Sequence, residues 1–155
     1  MRNQFFRIAI LLFTIVVTEN DISSKAFAES RLKPPCRVNF SNAHISTKYA
    51  TKYKVLAVKA NANVICNKPL MDLVVYIELY KATFFSQQKL ATYSSKVYAS
   101  VPAHRRITVS GPVVACKNWK KTRFFSMVSS TAIIEGKVMR APLQRSYPQE
   151  LACGT

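Results

Sequence analysis

The chain has 155 residues, and 23 Lys and Arg against 7 Asp and Glu give it a formal net charge of +16. Apolar residues make up 49% of the sequence, which is enough for one hydrophobic core and excludes a chain that is disordered throughout. The three glycines form no phosphate-binding loop of the dinucleotide-binding or P-loop type. The excess of positive charge predicts a partner that is anionic.

The first 28 residues have the three-part pattern of a secretory signal peptide. Two arginines, Arg2 and Arg7, precede an apolar run from Ile8 to Val17, and a polar stretch then ends in Ala26-Phe27-Ala28. The apolar run is about half as long as the roughly 20 residues that a membrane-spanning helix needs. We therefore predict a signal peptide over residues 1–28 and one exported domain over residues 29–155. The domain would be extracellular, either released or retained on a cell wall by its charge.

All four cysteines lie in the predicted exported domain, at Cys36, Cys66, Cys116 and Cys153. Because export leads to an oxidising compartment, an even number of cysteines predicts two disulfides. The wide gaps lack the close cysteine pairs of a zinc site, so we expect neither a metal nor another cofactor. Of the three possible pairings, we favour Cys66 with Cys116 inside the domain and Cys36 with Cys153 joining its ends.

Alternation of apolar and polar residues predicts β-strands along most of the domain. Leu56–Cys66 and Met71–Tyr80 alternate most regularly, with Met71 and Leu73 on the same face. No segment predicts a helix, Gly111-Pro112 predicts a strand break, and the tail from Ala141 predicts irregular structure. Further strands are predicted at Val38–Ile45, Leu90–Ser100, Arg105–Ser110, Val113–Cys116, Arg123–Ser130 and Thr131–Met139.

About seven short strands with turns between them are typical of an all-β fold, an antiparallel β-sandwich or a small barrel. We predict the sandwich. An immunoglobulin-like topology is one form of it, since Cys66 and Cys116 end separate strands. The Trp that antibody domains place on the intervening strand is missing, because the only Trp is Trp119, after the second of these cysteines. The topology therefore stays open.

The residues that commonly act in catalysis are few. The sequence has no H-E-x-x-H zinc motif and no G-x-S-x-G nucleophile motif. Asp72 and Glu78 lie six residues apart on one predicted strand, about 20 Å, which is too far for a pair of catalytic carboxylates. We therefore predict no enzyme. One enzymatic alternative is a secreted ribonuclease in which His44 and His104 act as base and acid.

The basic residues cluster, and no acidic residue lies between Lys81 and Ile134. One cluster surrounds the tryptophan in a segment that we predict to be a loop, Lys117–Thr122, with two phenylalanines just beyond it. A ring of cations around an amphipathic aromatic side chain suits an interface with an anionic surface. The members of this cluster are Lys117, Trp119, Lys120, Lys121 and Arg123; the other basic groups are Arg105 and Arg106, and the Lys48–Lys59 cluster of Lys48, Lys52, Lys54 and Lys59 with Tyr49 and Tyr53.

The favoured interpretation is a non-enzymatic exported protein that binds an anionic surface through Lys117–Phe125, reinforced by the other basic groups. That surface would be a cell-wall polyanion, phospholipid headgroups or an acidic polysaccharide; nucleic acid is a less favoured partner. The first alternative is an inhibitor or toxin-system partner of an acidic secreted protein, which the charge would steer into place. A further alternative is that the charge only maintains solubility and that Trp119 belongs to the core.

Overall fold

The computed structural model describes residues 35–155, so the predicted signal peptide lies outside the described residues. The prediction of an all-β, antiparallel sandwich with two disulfides is confirmed. The elements are β1 (Cys36–Phe40), β2 (His44–Ile45), α1 (Thr47–Tyr53), β3 (Ala57–Cys66), β4 (Leu70–Ala82), β5 (Gln87–Ser94), β6 (Tyr98–Val101), β7 (Arg106–Ala115), β8 (Asn118–Ile134), β9 (Lys137–Arg145) and β10 (Gln149–Gly154).

The ten strands occupy seven positions in two sheets. In the first sheet β3 pairs with β7 along one side, so the short strands β1 and β2 share its other side. In the second sheet the long strands β4 and β8 pair with each other. Consequently β5 and β6 share the free side of β4, and β9 and β10 share the free side of β8.

The order of these positions resembles that of immunoglobulin-type sandwiches. Numbered along the chain, the positions run 1-2-5 in the first sheet and 4-3-6-7 in the second. This is the order of the A, B and E strands and of the C′, C, F and G strands. The predicted number of about seven strands therefore matches the seven positions in the two sheets. Three of these positions are each divided into two short strands.

The core lies between the sheets and follows the predicted alternation. In β3 the even-numbered side chains from Val58 to Val64 are buried, and in β4 so are the odd-numbered ones from Leu73 to Leu79. Met71 was expected on the same face as Leu73 but is 51% exposed. The reason is a bulge at Asp72, whose φ of 51° shifts the alternation by one residue.

The predicted disulfide pairing is wrong. Cys36 bonds to Cys66, its direct partner in the β1–β3 ladder, and Cys116 bonds to Cys153 on β10. Cys66 ends β3 at one end of the sheet, whereas Cys116 follows the residue that pairs with Ala57 at the other end, about 30 Å away along the strand. Cys66 and Cys116 therefore cannot meet, although each does end a strand.

Two disulfides and no free cysteine among the described residues are typical of a protein from an oxidising, extracellular-type compartment. Within residues 35–155, none of the helical structure has the length and apolar character that crossing a membrane would require.

The prediction that no segment is helical is also wrong, because Thr47–Tyr53 forms one short helix. Ser46 caps its first turn by accepting a hydrogen bond from the Tyr49 backbone N–H, at 3.3 Å. Lys54 ends it in a left-handed conformation and donates its N–H to the Ala50 carbonyl. Since none of the helical residues is buried, the sequence has no apolar stripe there from which a helix is normally predicted.

Four further features of the strands differ from the prediction. The strand break at Gly111-Pro112 is instead a bulge inside the continuous strand β7, opposite Ala60. The predicted loop Lys117–Thr122 is strand from Asn118 onward, since β10 supplies hydrogen-bond partners for those polar residues. The same strand continues to Ile134 without the expected break after Ser130, and the tail forms β9 and β10 instead of irregular structure.

Candidate functional site

Several chain segments meet where the chain crosses from β7 to β8. At this end of the sandwich β3 and β8 begin and β4 ends. The Cys116 N–H donates to the Leu56 carbonyl of the first sheet at 2.8 Å, and the next N–H, from Lys117, donates to Gly154 of the second sheet at 2.7 Å. We call this region the crossover end and define it by residues 47–56, 83–86 and 116–122.

The crossover end is strongly basic because separate segments contribute lysines to it. Within the described part of the chain, only Lys121 of these has a carboxylate partner, Glu150 at 3.7 Å, and both side chains are largely exposed. Asp72 and Glu135 lie at the opposite end, beside the starts of β4 and β9. The lysines of the crossover end are Lys48, Lys52, Lys54, Lys117, Lys120 and Lys121.

The structure brings together two basic clusters that are distant in sequence. A shallow pocket of about 190 Å³ is lined by Lys54 and Leu56 on one side and by Lys117, Asn118 and Trp119 on the other. The Cys116–Cys153 disulfide lies beside it and ties the crossover to β10. Lys54 from the Lys48–Lys59 cluster therefore shares one surface with the predicted tryptophan cluster.

A second pocket, of about 170 Å³, lies between α1 and the outer face of the first sheet. Three lysines line it, Lys48, Lys52 and Lys59, together with Tyr49 and Tyr53. The two tyrosine rings lie 4.5 Å apart, one helical turn from each other, and the Lys52 ammonium lies 4.9 Å from the Tyr53 ring. The sequence indicated this cluster, but only the helix explains why its members face one pocket.

Trp119 is 74% exposed, so the interpretation that places it in the core is wrong. A bulge in β8 accounts for its position. Lys121 pairs with Ala152 and Asn118 with Gly154, so β8 has one residue more than β10 over this stretch. The Asn118 side chain accepts a hydrogen bond from the Lys120 N–H at 2.9 Å, inside the bulge. The bulge leaves Trp119 and Lys120 outside the ladder, where they project into solvent.

The structure does not bring the other predicted binding residues into this region as a group. Arg123 of β8 pairs with Ala82 of β4 and with Glu150 of β10, and it lies one residue beyond the crossover end. Arg105 and Arg106 precede and begin β7, so the length of that strand separates them from Lys117 by about 30 Å.

The two histidines proposed for a ribonuclease are also far apart. His44 pairs with Lys59, whereas the His104 N–H donates to the carbonyl of Cys66. Seven residues of β3 separate these two attachment points, a distance of about 20 Å. The structure therefore does not bring His44 and His104 together.

The outer face of the second sheet is polar too, but its charges are partly paired within the protein. Glu78 accepts hydrogen bonds from the Tyr80 hydroxyl, at 2.7 Å, and from Lys89. Partial burial raises the pKa of Glu78, but these two hydrogen bonds outweigh it and hold the pKa below the usual value. Beside this pair, the Tyr80 ring stacks on Phe125 at 5.0 Å and the Arg145 guanidinium lies 3.9 Å from the Phe125 centroid. One ion pair of this face is therefore formed within the protein.

Sequence reasoning did not assign a role to Phe84 and Phe85, which the structure leaves 93% and 94% exposed in the β4–β5 turn at the crossover end. The sequence offers no periodic pattern at these positions that would distinguish an exposed pair from a buried one. They are exposed because they lie in the turn between β4 and β5.

Within residues 35–155, no three His, Cys, Asp or Glu side chains lie close enough together to hold a metal ion. Neither a scan against models of protein families nor a search of curated protein sequences finds a match for this chain. Charge and exposure at the crossover end are therefore the observations on which a functional assignment depends.

Proposed function

We propose that the protein is exported and binds an anionic surface through the lysines and Trp119 of its crossover end, without a catalytic role. The observation that supports this proposal is the convergence of six lysines from separate segments, five of them without a carboxylate partner among the described residues. An exposed Trp119 stands among them. The proposed site omits Arg105 and Arg106, which lie at the other end of β7.

The form of the site favours an extended polymer or surface over a small molecule. The two pockets have volumes of about 190 and 170 Å³. Sites for small ligands usually measure about 300–1,000 Å³ and enclose most of the ligand. Lysine ammonium groups are flexible point charges that do not demand one fixed geometry, so they suit repeated phosphate, sulfate or carboxylate groups.

The carboxyl groups with shifted pKa values lie outside the proposed site. The Lys68 ammonium, 2.6 Å from Glu135, lowers the pKa of that carboxyl, and the pKa of Glu78 is lowered by its own partners. Both belong to surface ion pairs outside the crossover end, whereas catalytic groups with shifted pKa values usually lie in a cleft.

The experiment is binding of the oxidised protein to immobilised inorganic polyphosphate over a salt series. The Debye length shortens from about 10 Å at 0.1 M salt to about 3 Å at 1 M, so binding should weaken steeply as salt is added. Each lysine near an anionic surface is worth about 1 kcal/mol, so replacing Lys117 and Lys120 by Ala should weaken binding about thirty-fold. The matched control removes the same charge at the opposite end, with Arg105→Ala and Arg106→Ala, and should lower the affinity far less.

Equal losses in the two double variants would contradict a site at the crossover end and would indicate a diffuse effect of net charge. Absence of binding at low salt would contradict the proposal as a whole. A one-to-one protein complex that survives high salt would instead support the inhibitor or toxin-system alternative, in which apolar contacts supply the affinity.

A further inference from the structure

Two adjacent phenylalanines form the tip of the β4–β5 hairpin. Phe84 and Phe85 are 93% and 94% exposed, and their rings pack edge-to-face with centroids 4.8 Å apart. Turn positions of this kind normally favour Gly, Pro, Asn, Asp or Ser, each for its backbone conformation or hydrogen bonding. Two large apolar side chains at such a tip are therefore not explained by the needs of the turn.

The turn itself is closed by several hydrogen bonds and presents the two rings in a defined direction. The Thr83 N–H donates to the Ser86 carbonyl at 2.8 Å, and the Ser86 N–H donates to the Thr83 hydroxyl at 2.9 Å. The Thr83 and Ser86 hydroxyls are 2.7 Å apart. The rings therefore project from a turn that ordered contacts already hold, which lowers the entropic cost of using them for binding.

The hairpin tip belongs to the same end of the molecule as the lysines. Ala82 is the last residue of β4 to pair with β8, and its partner is Arg123, so the turn extends past that pair beside the first residues of β8. Trp119 lies in those first residues and is also exposed. With Tyr53 of α1, four exposed aromatic side chains thus stand at the crossover end with six lysines.

We infer that the crossover end docks on an anionic phospholipid bilayer, with Phe84 and Phe85 inserted among the headgroups; this inference rests on the proposed function. Aromatic side chains are favoured at the membrane–water interface, and nearby lysines are attracted to anionic headgroups. A soluble polyanion would satisfy the lysines but would offer the two rings no apolar phase.

The hairpin tip by itself is too small for a stable protein interface. Phenylalanine side chains bury about 150–250 Å² each, so the pair offers about 400 Å². A stable protein interface buries about 800 Å² on each partner, about twice that area. Shallow insertion into a bilayer has no such minimum, because each buried apolar group adds its own transfer free energy.

The test compares vesicles of phosphatidylcholine alone with vesicles that also contain phosphatidylglycerol. Trp119 is the only tryptophan, so its emission reports docking directly. Wild-type protein should bind only the anionic vesicles, with a blue shift of the emission. Phe84→Ser with Phe85→Ser should lower that affinity at least about ten-fold at unchanged net charge, and leave polyphosphate binding unchanged.

The matched control is Val138→Ser with Leu143→Ser, which removes two exposed apolar side chains of β9 and should change neither binding. Vesicle binding that is unaffected by the Phe84/Phe85 variant overturns the inference. Equal losses on vesicles and polyphosphate also overturn it. Wild-type protein that binds polyphosphate but no vesicle refutes the bilayer alone, whereas failure to bind polyphosphate at low salt refutes the proposed function.

Discussion

Replacing Gly111 by Ala should destabilise the sandwich because β7, at its bulge, packs closely against both β3 and β4. A Cβ atom at this position would lie 2.5 Å from the Ala60 carbonyl oxygen and 2.8 Å from the Ile77 Cγ2 atom. Ala60 and Ile77 are fully buried. The nearest obstacle is backbone, so relief requires β7 to move away from β3 or β4.

Overpacking a buried site by one methyl group costs about 1–3 kcal/mol. Replacing Gly by Ala also reduces the entropy of the unfolded chain, which returns about 0.4–1 kcal/mol where the backbone conformation is tolerated. Gly111 does not have a positive φ, so this gain applies. The net loss should be about 1–2 kcal/mol, a shift of the urea midpoint by about half to one molar.

Gly136, in the β8–β9 turn, should also be destabilised by Ala, but through its backbone conformation and not through crowding. Its φ is +76°, and a Cβ atom added there would meet nothing within 4 Å, so Ala costs backbone strain without crowding. Asn tolerates this conformation better than Ala, so Gly136→Asn should be milder than Gly136→Ala. At Gly111 the order should reverse, since Asn is larger than Ala. Urea unfolding of the four variants with disulfides intact measures both orders, and an unchanged midpoint for Gly111→Ala would refute the reasoning.

Buried or paired groups give three more predictions. The pKa of Glu78 is lowered in the folded protein, so its ionised form stabilises the fold above the ordinary glutamate pKa of about 4.3, and this stability is lost as the pH falls through the lower folded value. NMR titration of the Lys89→Ala variant should give a higher pKa for Glu78. An unchanged pKa would contradict the ion pair. Peptide mapping without reduction should recover Cys116 joined to Cys153, and replacing both by Ala should cost about 3–4 kcal/mol in urea unfolding, since the bridge closes a loop of 37 residues. Phe124→Ala should cost about 3–5 kcal/mol, because the side chain is fully buried; a loss below about 1 kcal/mol would contradict its place in the core.

The sequence allowed the fold class to be predicted because β3 and β4 each have one face in the core, and a half-buried strand alternates with period two. It did not reveal the disulfide pairing, since Cys36 meets Cys66 only through the antiparallel pairing of β1 with β3. Nor did it predict that Asn118–Thr122 is strand. These residues lie beyond the end of β4 and cover no core, so all of them except Trp119 are polar and the periodic pattern is lost there.

For the candidate site, the sequence supplied the residue types but not their arrangement. The lysines around Trp119 were recognisable because they lie close together in the sequence. Their meeting with Lys54 depends on a crossover between sheets, and Arg105 was grouped with them although the length of β7 intervenes. The exposure of Phe84 depends on where a hairpin turns, which composition alone does not disclose.

The short strands at the sheet edges limit β-pairing between copies of the protein that lie close together. Of the four sheet edges, three consist of two short strands each, and the fourth, β7, is interrupted by the bulge at Gly111-Pro112, where proline lacks an N–H. A cationic protein that accumulates on an anionic surface brings many copies side by side, the condition that favours edge-to-edge β-pairing and fibril growth. Interrupted edges offer no long template for it, so we expect dense layers of this protein to remain dispersible when salt releases them.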